Sequence, residues 1–366
     1  MTSRERMLTA INNGKPDRLP GQVHCWMPYY LNTYLDGVDQ YQAYERFGLD
    51  MAIYARPGMA YDERDLANWR TEHTDLGTDA DGVRSWIDVI KTPGGELRTA
   101  GSANEITPWV TEHLIKTEQD FELFDRYFPV PTGVDGSPVR ACLDRLGDRG
   151  IVRGGLWAYG QVGPWQSFCF MVGTQEAIMF AIDEPEWVHH VEQAMVEKQV
   201  KVIEMMAGEA PLDLIEIGGG AGSNTVISPK LHEEFCLPYD KQQVDALHAA
   251  GYKVVYHLCG GLMKTLDLVV ANGSDGLETM TPPSMGGDCD LTEAERLVGD
   301  KLFFVGGFDQ NRGFEHGTPE IVREMVHELH AACPNGGYIC CPSDHFFHGN
   351  PDNLQAFSDA LKECVY

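Results

Sequence analysis

The chain has 366 residues, 43% of them hydrophobic, with ten cysteines and a formal net charge of -27. A surplus of that sign repels the phosphate backbone of nucleic acid and anionic membrane surfaces, which leaves a small molecule or another protein as partner. Ten cysteines, no secretory pattern at MTSRERMLTA and no apolar run near ~18 residues fit a reduced, cytoplasmic protein whose thiols are free to pack or to bind metal.

Short apolar runs closed by Gly, Pro or Asp predict strands, in chain order, at 18–24 (RLPGQVH), 51–55 (MAIYA), 151–157 (IVRGGLW) and 213–219 (DLIEIGG). Four more follow at 252–260 (YKVVYHLCG), 275–280 (DGLETM), 301–309 (KLFFVGGFD) and 336–344 (GGYICCPSD). Helical patterns separate most of them. Ser228-Pro229 opens a helix that runs to Gly251, and Thr318-Pro319 opens another over TPEIVREMVHELHAAC. Buried strands alternating with helices imply a parallel sheet. Eight such units predict an α/β fold of the closed (β/α)8 TIM barrel type, with an open doubly wound sheet as the alternative. Residues 57–150 break the rhythm between the second and third strands. Within them VRSWIDVIKTPGGELRTAG predicts a hairpin turning at Pro93-Gly94-Gly95. The apolar pattern of this stretch is too broken for a core of its own, so it is expected to be an insertion at the barrel mouth, with 1–366 forming one domain.

In a parallel barrel the reactive groups project from the carboxyl ends of the strands. Those ends carry His24-Cys25-Trp26, Trp157-Ala158-Tyr159, Glu216 followed by GGGAGSN, His257-Leu258-Cys259, Glu278, Asp309-Gln310 and Cys340-Cys341-Pro342-Ser343-Asp344-His345. His257 and Cys259 alternate along one strand and so share a face, imidazole beside thiol, ahead of two glycines that end the strand. A catalytic zinc ion takes three protein ligands of this kind and keeps a fourth position open. The last strand of a closed barrel supplies the third. Neighbouring strand residues face opposite ways, so one of Cys340 and Cys341 points inward; Cys341 is preferred, with Cys340 and Asp344 as alternatives and Glu216 as a displaceable fourth ligand. His345 and His348 offer further ligands or an acid–base pair, and ordinary packing is the competing account of the thiols. The glycine run 218–224 lacks the lysine of a phosphate loop and does not fit the dinucleotide pattern, so no nucleotide is expected. His24 and the aromatic residues Trp26, Tyr30, Trp157, Tyr159 and Phe346 lie near the predicted strand ends and predict a substrate pocket with apolar walls.

The opening RERMLTAINNGKPDRLP, the stretch ISPKLHEEFCLPYDKQQVDALHAAGYKVVYHLCGG, FFVGGFDQ and the closing GGYICCPSDHFFHGNPDNLQAF resemble the uroporphyrinogen decarboxylase superfamily. The resemblance runs over nearly the whole chain, least closely at 57–150, and implies a single (β/α)8 barrel with one of two chemistries. The superfamily's decarboxylases bind a tetrapyrrole bearing many carboxylates and carry an arginine-rich stretch after the first strand. Here PGQVHCWMPYYLNTYLD (20–36) contains no Arg or Lys, so cations for such a substrate have to come from Arg56 and Arg153. The corrinoid-linked methyltransferases instead resemble this chain at His257-x-Cys259-Gly260, their zinc motif. That branch implies Zn2+ on His257, Cys259 and Cys341, a corrinoid (cobalamin) brought by a separate carrier protein, and a small-molecule methyl donor or acceptor. In its thiol-methylating members the third zinc ligand sits a few residues further along the last strand, near Asp344 or His345 here. An aromatic mouth suits a methoxylated aromatic better than a small sulfonated thiol. The expectation is therefore O-demethylation, with Glu216 at the metal and with Asp309 and His345 orienting substrate or protonating the leaving oxygen. A methylcobamide:thiol methyltransferase, a decarboxylase of the superfamily and a non-catalytic corrinoid- or ligand-binding barrel are the alternatives.

Overall fold

The computed structural model describes residues 1–366. Seven parallel strands form one curled, barrel-like sheet in chain order: β1 (Met51–Tyr54), β2 (Gly150–Gly154), β3 (Leu214–Gly218), β4 (Val254–His257), β5 (Gly276–Thr279), β6 (Phe303–Phe308) and β7 (Tyr338–Pro342). Alternation along these strands sorts two cores. Outward residues such as Val152, Ile215, Ile217, Val254, Tyr256, Leu277, Phe304 and Tyr338 belong to the large apolar layer under the surrounding helices. Inward residues Ala52, Ile151, Leu214, Val255, Phe303, Val305, Ile339 and Cys341 form a separate interior cluster. Met7, Ala10 and Ile11, from the N-terminal helix Ser3–Ile11, join that cluster. Gly276 has no side chain because the Phe303 ring fills its place: a Cβ there would lie 2.4 Å from the ring.

Seven of the eight predicted strands are present. The eighth, 18–24, shrinks to two isolated bridges, a parallel one between Gly21 and Cys340 and an antiparallel one between Arg18 and Val365. Pro20 has no N–H to offer a ladder and Gly21 adds no packing, so the run cannot persist as a strand. It is nonetheless hydrogen bonded on both sides. Gln22 N–H donates to the Cys340 carbonyl at 3.1 Å and Cys340 N–H to that of Pro20 at 3.0 Å, while Asp50 N–H donates to the Gly21 carbonyl at 2.9 Å. The buried Asp50 carboxylate accepts the Gly21 N–H at 3.2 Å and ion-pairs Arg6 at 2.7 Å.

Between β1 and β2 the chain builds a four-stranded antiparallel sheet from Arg70–Thr78, Arg84–Thr92, Gly95–Ala103 and Pro108–Glu112. Thr92 pairs with Gly95, so the hairpin turns at Pro93-Gly94 as the sequence predicts. Its buried Ile90 and Leu97 pack in one cluster with Phe121 and Phe124, with Trp165 and Phe168 of helix Pro164–Val172, and with Val188, Val191 and Met195 of helix Pro185–Met206. Both predicted helix starts are present: Ser228 and Thr318 accept from the backbone of Leu231 and Ile321, each ahead of a proline at the first helical position. The helix after Ser228 is interrupted. Pro238 has no N–H for the carbonyl four residues back, and a π turn at His232–Cys236 precedes the regular helix Leu237–Ala249. No helix is long and apolar enough to cross a membrane.

Phe303 is wholly buried between the N-terminal helix and the inner faces of the strands. Phe303→Ala is expected to lower stability by about 3–5 kcal/mol, measured by urea denaturation.

Candidate functional site

Two positions along from the apolar interior layer, the inward residue becomes polar on successive strands. Tyr54 follows Ala52, Arg153 follows Ile151, Glu216 follows Leu214, His257 follows Val255, and Glu278 follows Gly276. These five side chains bond to one another. Buried Arg153 donates from Nη2 to Glu216 Oε2 and to Glu278 Oε2, both at 2.8 Å. The Tyr54 hydroxyl donates to Glu216 Oε2 at 2.5 Å. His257 Nδ1 lies 2.9 Å from Glu278 Oε1 and 3.6 Å from Glu216 Oε1.

The ring sets the protonation of its members. Burial opposes charge on Glu278, but Arg153 and then His257 overcome it and hold the carboxyl well below the ordinary range. Burial also opposes charge on His257; hydrogen bonding to Cys259 and Glu278 and the charges of Glu216 and Glu278 raise it well above an ordinary imidazole. His24, with its ring centroid 5.5 Å from that of His257, goes the other way. Burial pushes it down to about 3, so it is neutral and keeps a lone pair. His345 meets His24 edge to face at 4.9 Å; its hydrogen bond to Asp344, at 3.0 Å, is the main cause that raises it to about 9.

A cleft of about 390 Å³ opens over this ring. His24, Glu216, His257 and His345 supply its polar side; Met59, Leu156, Trp157 and Val162 supply its apolar side, and exposed Arg56 also borders it. The turn after β5 is strained: Thr279 and Met280 adopt φ of 88° and 48°, a region that a β-branched residue rarely enters. Local bonds hold it. Thr279 Oγ1 donates to the Leu258 carbonyl at 3.1 Å, and Thr281 Oγ1 accepts the Gly260 N–H at 3.2 Å, so the strained turn ties Glu278 to the His257–Gly260 segment. Gly306 on β6 accommodates it, since a Cβ there would sit 2.0 Å from the Thr279 carbonyl oxygen.

Of the residues singled out from the sequence, His24, Trp157, Glu216, His257 and His345 line the cleft. The donors whose ligand atoms lie within 4.8 Å of one another are His24, His257 and Glu278, not His257, Cys259 and Cys341. β4 ends at His257, so Cys259 sits in the turn, its sulfur packed where Gly220 lacks a side chain. Cys341 does face inward, as preferred, but groups with the apolar interior layer and accepts from Gln22 Nε2 at 3.9 Å; Cys340 faces the outer helices. Asp344 bonds His345, and His348 meets Tyr34 at 3.1 Å. Asp309 is buried, accepting from Ser284 at 2.6 Å and from the Arg312 N–H at 2.9 Å, and caps a turn instead of facing the cleft. Trp26, Tyr30 and Phe346 form a buried aromatic stack with Tyr44 and Phe47, and Tyr159 packs on Phe124 and Phe128. Of that predicted aromatic wall, Trp157 alone borders the cleft. The sequence reading gave no role to Tyr54 and considered Arg153 only as a cation for a polycarboxylate. Period-two alternation from Ala52 and Ile151 was the available signal for both.

The family model described as uroporphyrinogen decarboxylase (URO-D) matches residues 102–364. Uroporphyrinogen decarboxylase 2, chloroplastic, of Oryza sativa subsp. japonica is 22% identical over 306 residues, 80% of this chain and 70% of the relative. The methylcobamide:CoM methyltransferase MtbA of Methanosarcina acetivorans is 24% identical over 338 residues, 88% of this chain and 87% of the relative. A solved methyltransferase structure from Methanosarcina mazei superposes with a TM-score of 0.65 at 14% identity, covering 99% of each chain.

Removing the guanidinium leaves two carboxylates facing each other, one of them fully buried. Arg153→Met is therefore expected to lose about 3–5 kcal/mol at neutral pH by chemical denaturation. Glu278 is held below its ordinary range in the folded chain, so the stability it confers is present above that range and lost as pH falls. The deficit of the variant should accordingly shrink below about pH 4.

Proposed function

The chain belongs to the uroporphyrinogen decarboxylase (URO-D) family, and within it we propose a corrinoid-linked methyltransferase that uses a zinc-type metal to move a methyl group between a small methoxylated substrate and a corrinoid on a separate carrier protein. The observation that carries this reading is the setting of His257. Its Nδ1 meets Glu278, which Arg153 anchors, so Nε2 is the nitrogen that would hold a metal, next to neutral His24, once metal displaces its proton. An imidazole whose second nitrogen donates to a carboxylate is the usual arrangement for a metal ligand. Neutral His24, the carboxylate of Glu216 in the cleft and the nearby thiol of Cys259 make a donor set of the kind zinc takes.

A zinc ion in this place supplies Lewis acidity toward an ether oxygen, and the corrinoid supplies a cobalt nucleophile for the methyl carbon. In that transfer the methyl carbon–oxygen bond breaks, a methyl–cobalt bond forms with the electron pair of cobalt(I), and the oxygen keeps the pair of the broken bond. His345, held protonated and bordering the cleft, donates the proton that the leaving oxygen takes up. Trp157, Leu156, Met59 and Val162 exclude water from an aryl group. We read residues 20–22 as the eighth stave of a (β/α)8 barrel and 57–150 as an insertion over its mouth; Pro57, Met59 and Tyr61 from it border the cleft, on the side where a carrier docks.

Transfer from a methylcobamide to a thiol is the second reading. The likeness to MtbA favours it, and Arg56 offers a cation for an anionic thiol. A polycarboxylate is poorly served, because the other arginine of the site, Arg153, is already engaged by Glu216 and Glu278. The test is metal content together with methyl transfer, using cob(I)alamin with methoxylated aromatics and methylcobalamin with thiols. Wild type is expected to carry metal in the cleft and transfer the methyl group, and His257→Ala to lose both the transfer and the cleft's equivalent of metal. Activity that survives metal removal, or turnover of a porphyrinogen in its place, overturns the proposal.

A further inference from the structure

On the outer side of β3 and β4, behind the glycines of the cleft, lies a second group of buried donors to which the reaction above assigns nothing. His232, Cys236 and Asp240 are 1%, 2% and 2% exposed. They are spaced by four along the π turn and the helix after it, which puts them on one face. Their ligand atoms lie within 4.8 Å of one another.

The hydrogen bonds around them leave a gap. His232 Nδ1 is 2.7 Å from the Gly222 carbonyl, which can only accept, so the proton is on Nδ1 and Nε2 keeps its lone pair. That Nε2 is buried with no partner. Glu192, on helix Pro185–Met206, is wholly buried beside the group, and neither of its carboxylate oxygens has a partner. Unmet polar groups in a core are costly and rare, and three such atoms in one place indicate something that fills them. A cavity of about 10 Å³ adjoins the group at Cys236, Asp240 and Tyr256.

We propose that His232, Cys236 and Asp240 form a buried structural metal site of the zinc type, with a fourth position for a water or for Glu192. The donor set is nitrogen, sulfur and oxygen, which zinc accepts. With a water in the fourth position, one thiolate and one carboxylate neutralise a divalent ion, so the loaded site carries no net charge into the core, and the thiol proton leaves to solvent on binding; Glu192 as the fourth ligand would have to release its own proton too. Two ligands already have orienting partners of the sort metal ligands use. The backbone carbonyl of Gly222 fixes the imidazole, and the Tyr256 hydroxyl donates to Asp240 Oδ2 at 2.5 Å. The site ties the π turn to the loop that follows Gly218 and Gly219, two residues that border the cleft.

The proposal is independent of the cleft chemistry, and its test separates the two. Full-length His257→Ala protein, in which the cleft has lost its central donor, is saturated with Zn(II) or Co(II) and freed of excess metal. It is expected to retain one equivalent per chain, with thiolate-to-cobalt absorption in the Co(II) form. Adding Cys236→Ser or His232→Gln should remove that equivalent and the absorption; the glutamine keeps a side-chain donor for the Gly222 carbonyl, and circular dichroism verifies the fold. A His257→Ala chain that holds no metal overturns the proposal, leaving a buried water as the occupant, and so does metal that survives both added substitutions.

Discussion

A guanidinium at the heart of a barrel has to be neutralised where it stands, because arginine does not give up its proton. Arg153 meets that constraint with one nitrogen shared between Glu216 and Glu278, and most of the site follows. Wholly buried Glu278 is held ionised. Glu278 offers its other oxygen to the His257 imidazole, while Glu216 takes the Tyr54 phenol on the same oxygen that meets Arg153. The positive charge that accumulates around His257 and Arg153 adds to burial in keeping His24 neutral. Two histidines with ring centroids 5.5 Å apart are thereby set to opposite protonation states. The strongest cation of the site, Arg153, is itself occupied by the two carboxylates.

Much of the fold was legible because the signals were local. Short apolar runs closed by Gly or Asp marked β3, β4 and β6, Ser-Pro and Thr-Pro marked two helix starts, and Pro93-Gly94 marked a hairpin. What could not be read depended on partners distant in sequence. Arg153 stands alone in an apolar run, and its counter-ions are 63 and 125 residues away. Trp26, Tyr30 and Phe346 look like pocket walls until helix Gln40–Phe47 returns against them with Tyr44 and Phe47 and turns them into packing. Cys341 was placed correctly on the inner face, yet the neighbours that make it part of an apolar layer come from the N-terminal helix and five other strands. Thr279 in a left-handed conformation had no sequence signal, because nothing about threonine suggests it.

Overall identity does not separate the two chemistries of this family. A decarboxylase and a methyltransferase are 22% and 24% identical to the chain, over most of its length in both cases. The barrel tolerates either outcome, and the distinction rests on a few side chains at the strand ends. A pocket for an anionic tetrapyrrole requires free cations where this protein has a closed ion-pair chain.

The alternation that builds the ring also restricts how it can change over time. Every inward polar residue sits two places beyond an inward apolar one, so gaining or losing a single residue inside a strand would exchange inner and outer faces beyond that point. Arg153 or His257 would then be driven into the helix layer, and Tyr256 or Ile217 into the cleft. Lineages of this architecture therefore have two tolerable routes to new substrates: loop length, as in the sheet carried between β1 and β2, and one-for-one replacement around the ring. The second route is itself narrow, because Tyr54, Arg153 and His257 all converge on the two carboxylates and replacing one disturbs the bonding of the rest. Novelty in this barrel is expected to begin at its outer loops and reach the ring last.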